Sequence, residues 1–193
     1  MNQAEVRDIF ERYDVLQAGH FRLSSGRHSD TYLQCQHVLG HPRLAASLGE
    51  AIAHRFGEGS FNVVLSPALG GILIGNAVAY AANVRFVFAE RVEGEMKLRR
   101  GQSLGRTDRA LVVEDVITTG GSAAEVIALA EAAQAAVAGV GSLVDRSSTT
   151  PAFHLAALLR VEAANYAESE CPMCARGEAL SSPGSRHRTS EGS

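Results

Sequence analysis

The stretch from Ala110 to Ser122 reads ALVVEDVITTGGS and sets two adjacent carboxylates, Glu114 and Asp115, between an apolar run and a hydroxyl- and glycine-rich turn. The apolar residues read as a strand buried on both faces. The acids then fall at its carboxyl end, where open α/β sheets hold their ligands. Val116 and Ile117 lead into Thr118, Thr119, Gly120, Gly121 and Ser122, which turn the chain into a helix. Ser122 and Glu125 stand at capping-box spacing and mark the start of that helix. Glycines there allow close backbone approach, and the unpaired N–H groups and dipole of a helix start favour an anion. The hydroxyls add donors, so the turn suits a terminal phosphate. Carboxylates repel a phosphate but accept hydrogen bonds from vicinal sugar hydroxyls. A phosphate cradle beside an acidic diol clamp describes a pocket for ribose 5-phosphate. A Walker loop would need Lys before Ser122, a dinucleotide fold would need G-x-G-x-x-G, and neither occurs.

The elements that must position this run follow from periodicity. Val6, Ile9, Phe10 and Tyr13 have helical spacing. Gly19 to Gln36 mixes aromatic and branched residues with Gly, Ser and His, and reads as a hairpin or irregular cap. Pro42 can open a helix with Leu44, Leu48, Ile52 and Phe56 on one face. A strand at Phe61–Ser66, a turn at Pro67–Gly71 and a helix at Ile72–Ala82 come next. Arg85–Ala89 and Ala110–Val113 are further strands, separated by a charged segment, Val92–Arg109, that reads as one long loop. A helix over Ser122–Ala136 and strands at Gly139–Val144 and Ala156–Arg160 complete the alternation. Strands separated by helices imply a parallel sheet with right-handed crossovers, and so an α/β fold. From about Ser181 the chain is poor in apolar residues and reads as a disordered tail.

At 193 residues the chain fits one domain, taken as 1–180 with a tail at 181–193. A net charge of −3 and a pI near 6.2 argue against a nucleic-acid partner, so any anion site must be local. The apolar stretches break well before the roughly 18 residues a membrane span requires. The N-terminus has no basic start followed by an apolar core, so no signal peptide is visible and a cytoplasmic location is expected. Three cysteines are too few for a disulfide framework.

The Glu114–Ser122 run resembles the phosphoribosyl-pyrophosphate signature of type I phosphoribosyltransferases: apolar residues, two acids, two more residues, then Thr, a variable residue, Gly and a small or hydroxyl pair. Ser66 to Gly71, with Ala68, Leu69 and Gly70 at its centre, is similar to that family's diphosphate loop. Leu23-Ser-Ser-Gly-Arg-His-Ser29 followed by Tyr32 and Leu33 resembles the N-terminal hood of the orotate-specific branch. Arg146, after the strand ending Leu143-Val144-Asp145, stands where that branch places an Arg for the orotate carboxylate, a partner an Arg fork suits well. Its bland alternative is an ion pair with Asp145. Ala89 to Gly101 looks like the branch's mobile catalytic loop, with Arg91 and Lys97 as its cations.

The resemblance implies a mostly parallel sheet flanked by helices, with a hood from about residues 1–40 and a long mobile loop. It also implies ribosyl transfer from phosphoribosyl pyrophosphate to orotate, with Mg²⁺ on the diphosphate and a twofold dimer that shares loops. Glu114, Asp115, Lys97 and Arg91 would then act in catalysis. Residues 114–122, 68–70 and Arg91 would bind phosphoribosyl pyrophosphate, and Thr118, Arg146, Tyr32 and Leu33 would bind orotate. Ser24, Leu69 with Gly70, and Val92 stand where the branch commonly carries lysines; Arg27, Lys97, Arg99 and Arg100 are the cations that could compensate. A purine-type phosphoribosyltransferase and a nucleotide-sensing regulator on the same fold remain alternatives. Cys171 and Cys174 form a C-x-x-C pair with only two of the four ligands of a tetrahedral zinc site. The pair reads as a surface turn, and no metal ligand is assigned.

Overall fold

The computed structural model describes residues 1–23 and 25–183. Helix α1 (Gln3–Arg12) is started by a capping box between Asn2 and Glu5. It buries Val6 and Phe10 in the main core, which also holds Leu158 and Leu159. Strands β1 (Leu16–Arg22) and β2 (His28–Leu33) then pair as an antiparallel hairpin with a bulge between Ala18 and Phe21. Ser24, in the hairpin turn, lies outside the described residues. A short helix α2 (Gln36–Leu39) leads to α3 (Pro42–Phe56), which has Pro at its first turn as its sequence requires.

From there the chain alternates: β3 (Val63–Pro67), α4 (Gly70–Ala82), β4 (Arg85–Val92), β5 (Glu95–Leu98), β6 (Arg109–Ile117), α5 (Gly121–Ala132), β7 (Ala136–Asp145) and β8 (Leu155–Arg160). These strands form one six-stranded sheet in the order β5-β4-β3-β6-β7-β8. All its pairings are parallel except β4 with β5. Successive residues of β6 serve opposite faces, as strand geometry requires. Leu111 and Val113 join the core under α3 and α4 with Leu48, Ile52, Ile74 and Val78. Ala110 and Val112 join the core under α5 with Ala123, Val126 and Ala130. Among the described residues no helix is long and apolar enough to cross a membrane.

Four expectations are corrected. The Val92–Arg109 segment is not loop throughout: Glu93 and Gly94, both at positive φ, turn the chain so that β5 pairs back on β4, with Met96 buried beneath it. The helix expected over Ser122–Ala136 ends at Ala132, because Gln134 at φ 60° turns the chain into β7. The hood, expected from about residues 1–40, also takes in the far end of the chain. A two-residue strand, β9 (Asn165–Tyr166), adds to β2. Ser181, placed in the expected tail, donates its N–H to the His20 carbonyl and accepts from the Arg22 N–H, both at 2.8 Å. Residues 184–193 of that tail lie outside the described residues. A short helix α6 (Pro172–Ala175) precedes this contact.

Candidate active site

A cleft of about 980 Å³ opens between the carboxyl ends of β6 and β7 and the hood. Glu114, Asp115, Val116, Thr118, Thr119, Gly120, Gly121 and Ser122 line its floor, Arg146 its side, and Tyr32 and Leu33 its roof. The sequence run expected to do chemistry is thus gathered in one place, except Ile117, which points into the core under α5.

Two glycines make this floor possible. Gly120 is the N-cap of α5 at φ 75°, where an L side chain would be strained and its Cβ would meet the Phe153 ring at 2.9 Å. Because the cap is Gly120, Ser122 and Glu125 are too far into the helix to form the expected capping box, and the capping residue has no side chain to offer. The first N–H groups of α5 have no intrahelical partners; that of Gly121 donates to Thr119 Oγ1 at 3.4 Å, and Gly121 and Ser122 line the cleft beside Thr118 and Thr119. Gly70, the first residue of α4, lies against Asp115: a Cβ there would come within 2.7 Å of both carboxylate oxygens. Ala68 donates to the Ala89 carbonyl at 2.8 Å, and Leu69 projects outward, 83% exposed. None of the three lines the cleft.

The acids lie within β6, not beyond its end, and that decides their charge. Burial, and then the neighbouring Asp115, push the Glu114 carboxyl up to about 8, with the Ser122 hydroxyl pulling the other way. Burial also raises Asp115, opposed by the Val116 N–H that donates to its Oδ1 at 2.9 Å. The Tyr32 phenol above them is raised by burial and by Asp115.

Arg146 is only 6% exposed. Its backbone N–H donates to the Ile117 carbonyl at 2.9 Å, which fixes it beside the acidic strand. Its Nη2 donates to Ser29 Oγ of the hood at 3.1 Å, and its Nε is buried without a partner among the described residues. Burial pushes the guanidinium down, with the more distant Asp30 opposing. The rival ion pair with Asp145 does not form. Asp145 instead accepts from Arg160 at 2.7 Å and from Ser147 Oγ at 2.6 Å.

Arg91 and Lys97 are not in this cleft. Arg91 pairs with Glu125 of α5 at 2.8 Å, and Lys97 pairs with Glu95 on the edge strand at 3.0 Å. Sequence reading missed Arg22, Ser148, Ala163 and Asn165, which also line the cleft. Arg27, whose Nη2 donates to the Asn165 carbonyl at 2.8 Å, ties β9 to the hairpin turn. The pairing of β9 on β2 brings 165 to the site, and a two-residue strand carries no readable periodicity.

A family model described as phosphoribosyl transferase domain matches residues 35–153. An orotate phosphoribosyltransferase of Chlorobium phaeobacteroides (strain BS1) is 46% identical over 191 residues, covering 98% of this chain and 99% of that protein. Another, from Chlorobaculum parvum, is 47% identical over 189 residues, with 96% and 97% covered. Among solved structures, the orotate phosphoribosyltransferase of Mycobacterium tuberculosis H37Rv superposes with a TM-score of 0.67 at 26% identity, over 82% of this chain and 96% of that one. By likeness over nearly its whole length, the chain belongs to the orotate phosphoribosyltransferases, a branch of the phosphoribosyl transferase family.

Proposed function

We propose that the cleft transfers ribose 5-phosphate from phosphoribosyl pyrophosphate to orotate, giving orotidine monophosphate and diphosphate on the way to UMP. Residues 1–180 would act as one catalytic domain, in the cytoplasm. The observation that carries the choice of base is Arg146, a buried guanidinium on the cleft wall with no carboxylate within ion-pair distance among the described residues. Orotate differs from uracil by one carboxylate, which a guanidinium fork binds in two parallel hydrogen bonds. A purine base brings no carboxylate to that buried charge.

In this reading the 5-phosphate sits on the N-terminus of α5 and the hydroxyls of Thr118, Thr119 and Ser122. Glu114 and Asp115 accept from the ribose hydroxyls, and Tyr32 and Leu33 cover the pyrimidine. Orotate is itself the nucleophile, so the chain need supply none. As the bond from the anomeric carbon to diphosphate lengthens, positive charge grows on the ribose, and the acid pair below it is placed to stabilise that charge. Mg²⁺ fits this donor set, since Glu114 and Asp115 are hard oxygen ligands reachable through the ribose hydroxyls or water. When bound, it would neutralise the leaving diphosphate.

The active form in this proposal is a twofold dimer in which the Arg91–Arg109 segment closes over the neighbour's cleft. In support, Arg91 and Lys97 are held in ion pairs away from their own chain's cleft. Mixing an Asp115→Asn chain with a Lys97→Ala chain tests it. Twofold exchange gives one site with both defects and one with neither, so activity should return to about a quarter of wild type. No recovery after verified subunit exchange would assign the segment to its own chain's site.

Removing the Arg146 fork should act on orotate alone. Arg146→Ala is expected to raise KM for orotate by about 10- to 150-fold, the effect of losing about 1.5–3 kcal/mol of charged hydrogen bonding. KM for phosphoribosyl pyrophosphate should stay near wild type in the same diphosphate-release assay. Equal losses for both substrates would make Arg146 a structural residue.

The acid pair gives a pH signature. Glu114 titrates near its ordinary 4.5 when unfolded but at about 8 when folded. The folded state therefore binds more protons between those values, and stability falls as pH rises through that window and levels off above it. Ribose hydroxyls need the carboxylate as acceptor, so ribose 5-phosphate should release a proton on binding and bind more tightly as pH approaches 8. Denaturant titrations and calorimetry across pH 5–9 check both. Glu114→Gln should flatten both dependences, and curves unchanged by that substitution would contradict the assignment.

A further inference from the structure

The Cys171–Cys174 pair is two ligands short of a tetrahedral site on its own, and the fold supplies two more. His20 from β1 and His28 from β2 face the short helix α6, which carries Cys174 and follows Cys171 directly. His20 Nε2 lies 3.0 Å from His28 Nδ1, 3.5 Å from Cys171 Sγ and 3.7 Å from Cys174 Sγ. Cys174 Sγ lies 3.2 Å from His28 Nδ1, and the four donor atoms all fall within 4.8 Å of one another. The surface-turn reading holds for only half of the pair: Cys174 is exposed, but Cys171 is 3% exposed and the two histidines it meets, His20 and His28, are 5% and 0% exposed.

Hydrogen bonding does not account for this convergence. An imidazole nitrogen carries either one proton or one lone pair, yet His20 Nε2 has three polar neighbours. Its tautomer is also fixed. His20 Nδ1 lies 2.9 Å from the Glu178 carbonyl oxygen, which only accepts, so Nδ1 holds the proton and Nε2 presents its lone pair to the cluster. A carbonyl behind the distal nitrogen is the usual support of a metal-bound imidazole. Zinc bonds of about 2.0–2.1 Å to nitrogen and 2.3 Å to sulfur, set tetrahedrally, separate two nitrogens by about 3.3 Å and nitrogen from sulfur by about 3.5 Å. The nitrogen–sulfur separations of 3.2–3.7 Å bracket that value, and the two nitrogens, at 3.0 Å, stand slightly closer than the bound geometry.

We propose that His20 Nε2, His28 Nδ1, Cys171 Sγ and Cys174 Sγ bind one Zn²⁺ ion. Two thiolates neutralise its charge, and four protein ligands leave no open position, which makes the site structural and not catalytic. None of the four lines the cleft, so this ion is distinct from the magnesium of the transfer reaction. Its place in the fold gives it a task. It clamps α6, which follows the last hood strand by a few residues, to the β1–β2 hairpin. Ser29, next to His28, accepts the Arg146 hydrogen bond. Tyr32, farther along β2, covers the acid pair. The zinc thus sets the hood over the orotate pocket from behind.

Elemental analysis of untagged protein, expressed with zinc in the medium and dialysed to remove loose metal, tests this directly. One zinc per chain is expected. Replacement by Co²⁺ should give the intense visible absorption of a tetrahedral site together with thiolate-to-cobalt charge transfer. Cys174→Ser and His20→Ala should each abolish that spectrum and reduce zinc to background. Should either variant fail to fold, the wild-type zinc content and cobalt spectrum still decide. Zinc at background in the wild type, an octahedral cobalt spectrum, a Cys171–Cys174 disulfide in zinc-free protein, or full zinc retention in a folded Cys174→Ser variant would each overturn the site.

Discussion

Two carboxylates buried side by side in a parallel strand are the constraint around which this structure is arranged. A buried carboxylate loses its hydration, and a second one next to it adds repulsion, so the pair holds a proton far above the usual range. Such a strand end is stable only if its surroundings tolerate both acids. The structure does this with space and dipoles more than with countercharge. Gly70 removes a side chain that would collide with Asp115. The Val116 N–H satisfies one of the Asp115 oxygens, and the Gly120 turn aims a helix N-terminus into the same cleft. No salt bridge neutralises the acids among the described residues. They are left for a ligand that brings hydroxyls and positive character, which is what a ribosyl group at its transition state offers.

The opposite charge obeys the same economy. Arg146 is buried and is not paired with an acid, although Asp145 is its chain neighbour, because Asp145 turns the other way to Arg160 and Ser147. The extended chain explains this: Asp145 ends β7, Arg146 follows it with its N–H still hydrogen-bonded to Ile117, and successive residues of such a segment project to opposite sides. The guanidinium is steadied by a neutral hood hydroxyl, Ser29, and keeps hydrogen-bonding capacity for a ligand. The hood therefore does more than cover the cleft. Its register sets where Arg146 points, and that register is held by a segment some 140 residues further along, through β9, α6 and Ser181.

How much of this was legible beforehand follows from sequence distance. The Ala110–Ser122 run could be read because strand, acids and turn are contiguous, and contiguous patterns survive folding. Arg146 could be read because it directly follows a strand that runs parallel to the acidic one. The capping box at Ser122 and Glu125 could not be judged, since only the positive φ of Gly120 shows that the helix starts two residues earlier. Strand β5 was hidden because it is four residues long, Glu95 and Lys97 are polar, and only Met96 and Leu98 supply its inward face. The cluster of His20, His28, Cys171 and Cys174 was invisible because its halves lie at opposite ends of the chain and meet only when the hood closes. Each miss is a long-range pairing or a single backbone angle, neither of which leaves a periodic trace.

The central claim is that one cleft joins a ribose-phosphate cradle to a carboxylate-reading arginine, and product binding tests it most directly. Calorimetric titration of the unmodified protein with orotidine monophosphate and with UMP compares two nucleotides that differ only by the pyrimidine carboxylate. Both are expected to bind through the cradle, with orotidine monophosphate tighter by about 10- to 150-fold, the weight of about 1.5–3 kcal/mol of charged hydrogen bonding. Equal affinities for the two nucleotides, or no binding of either, would contradict it.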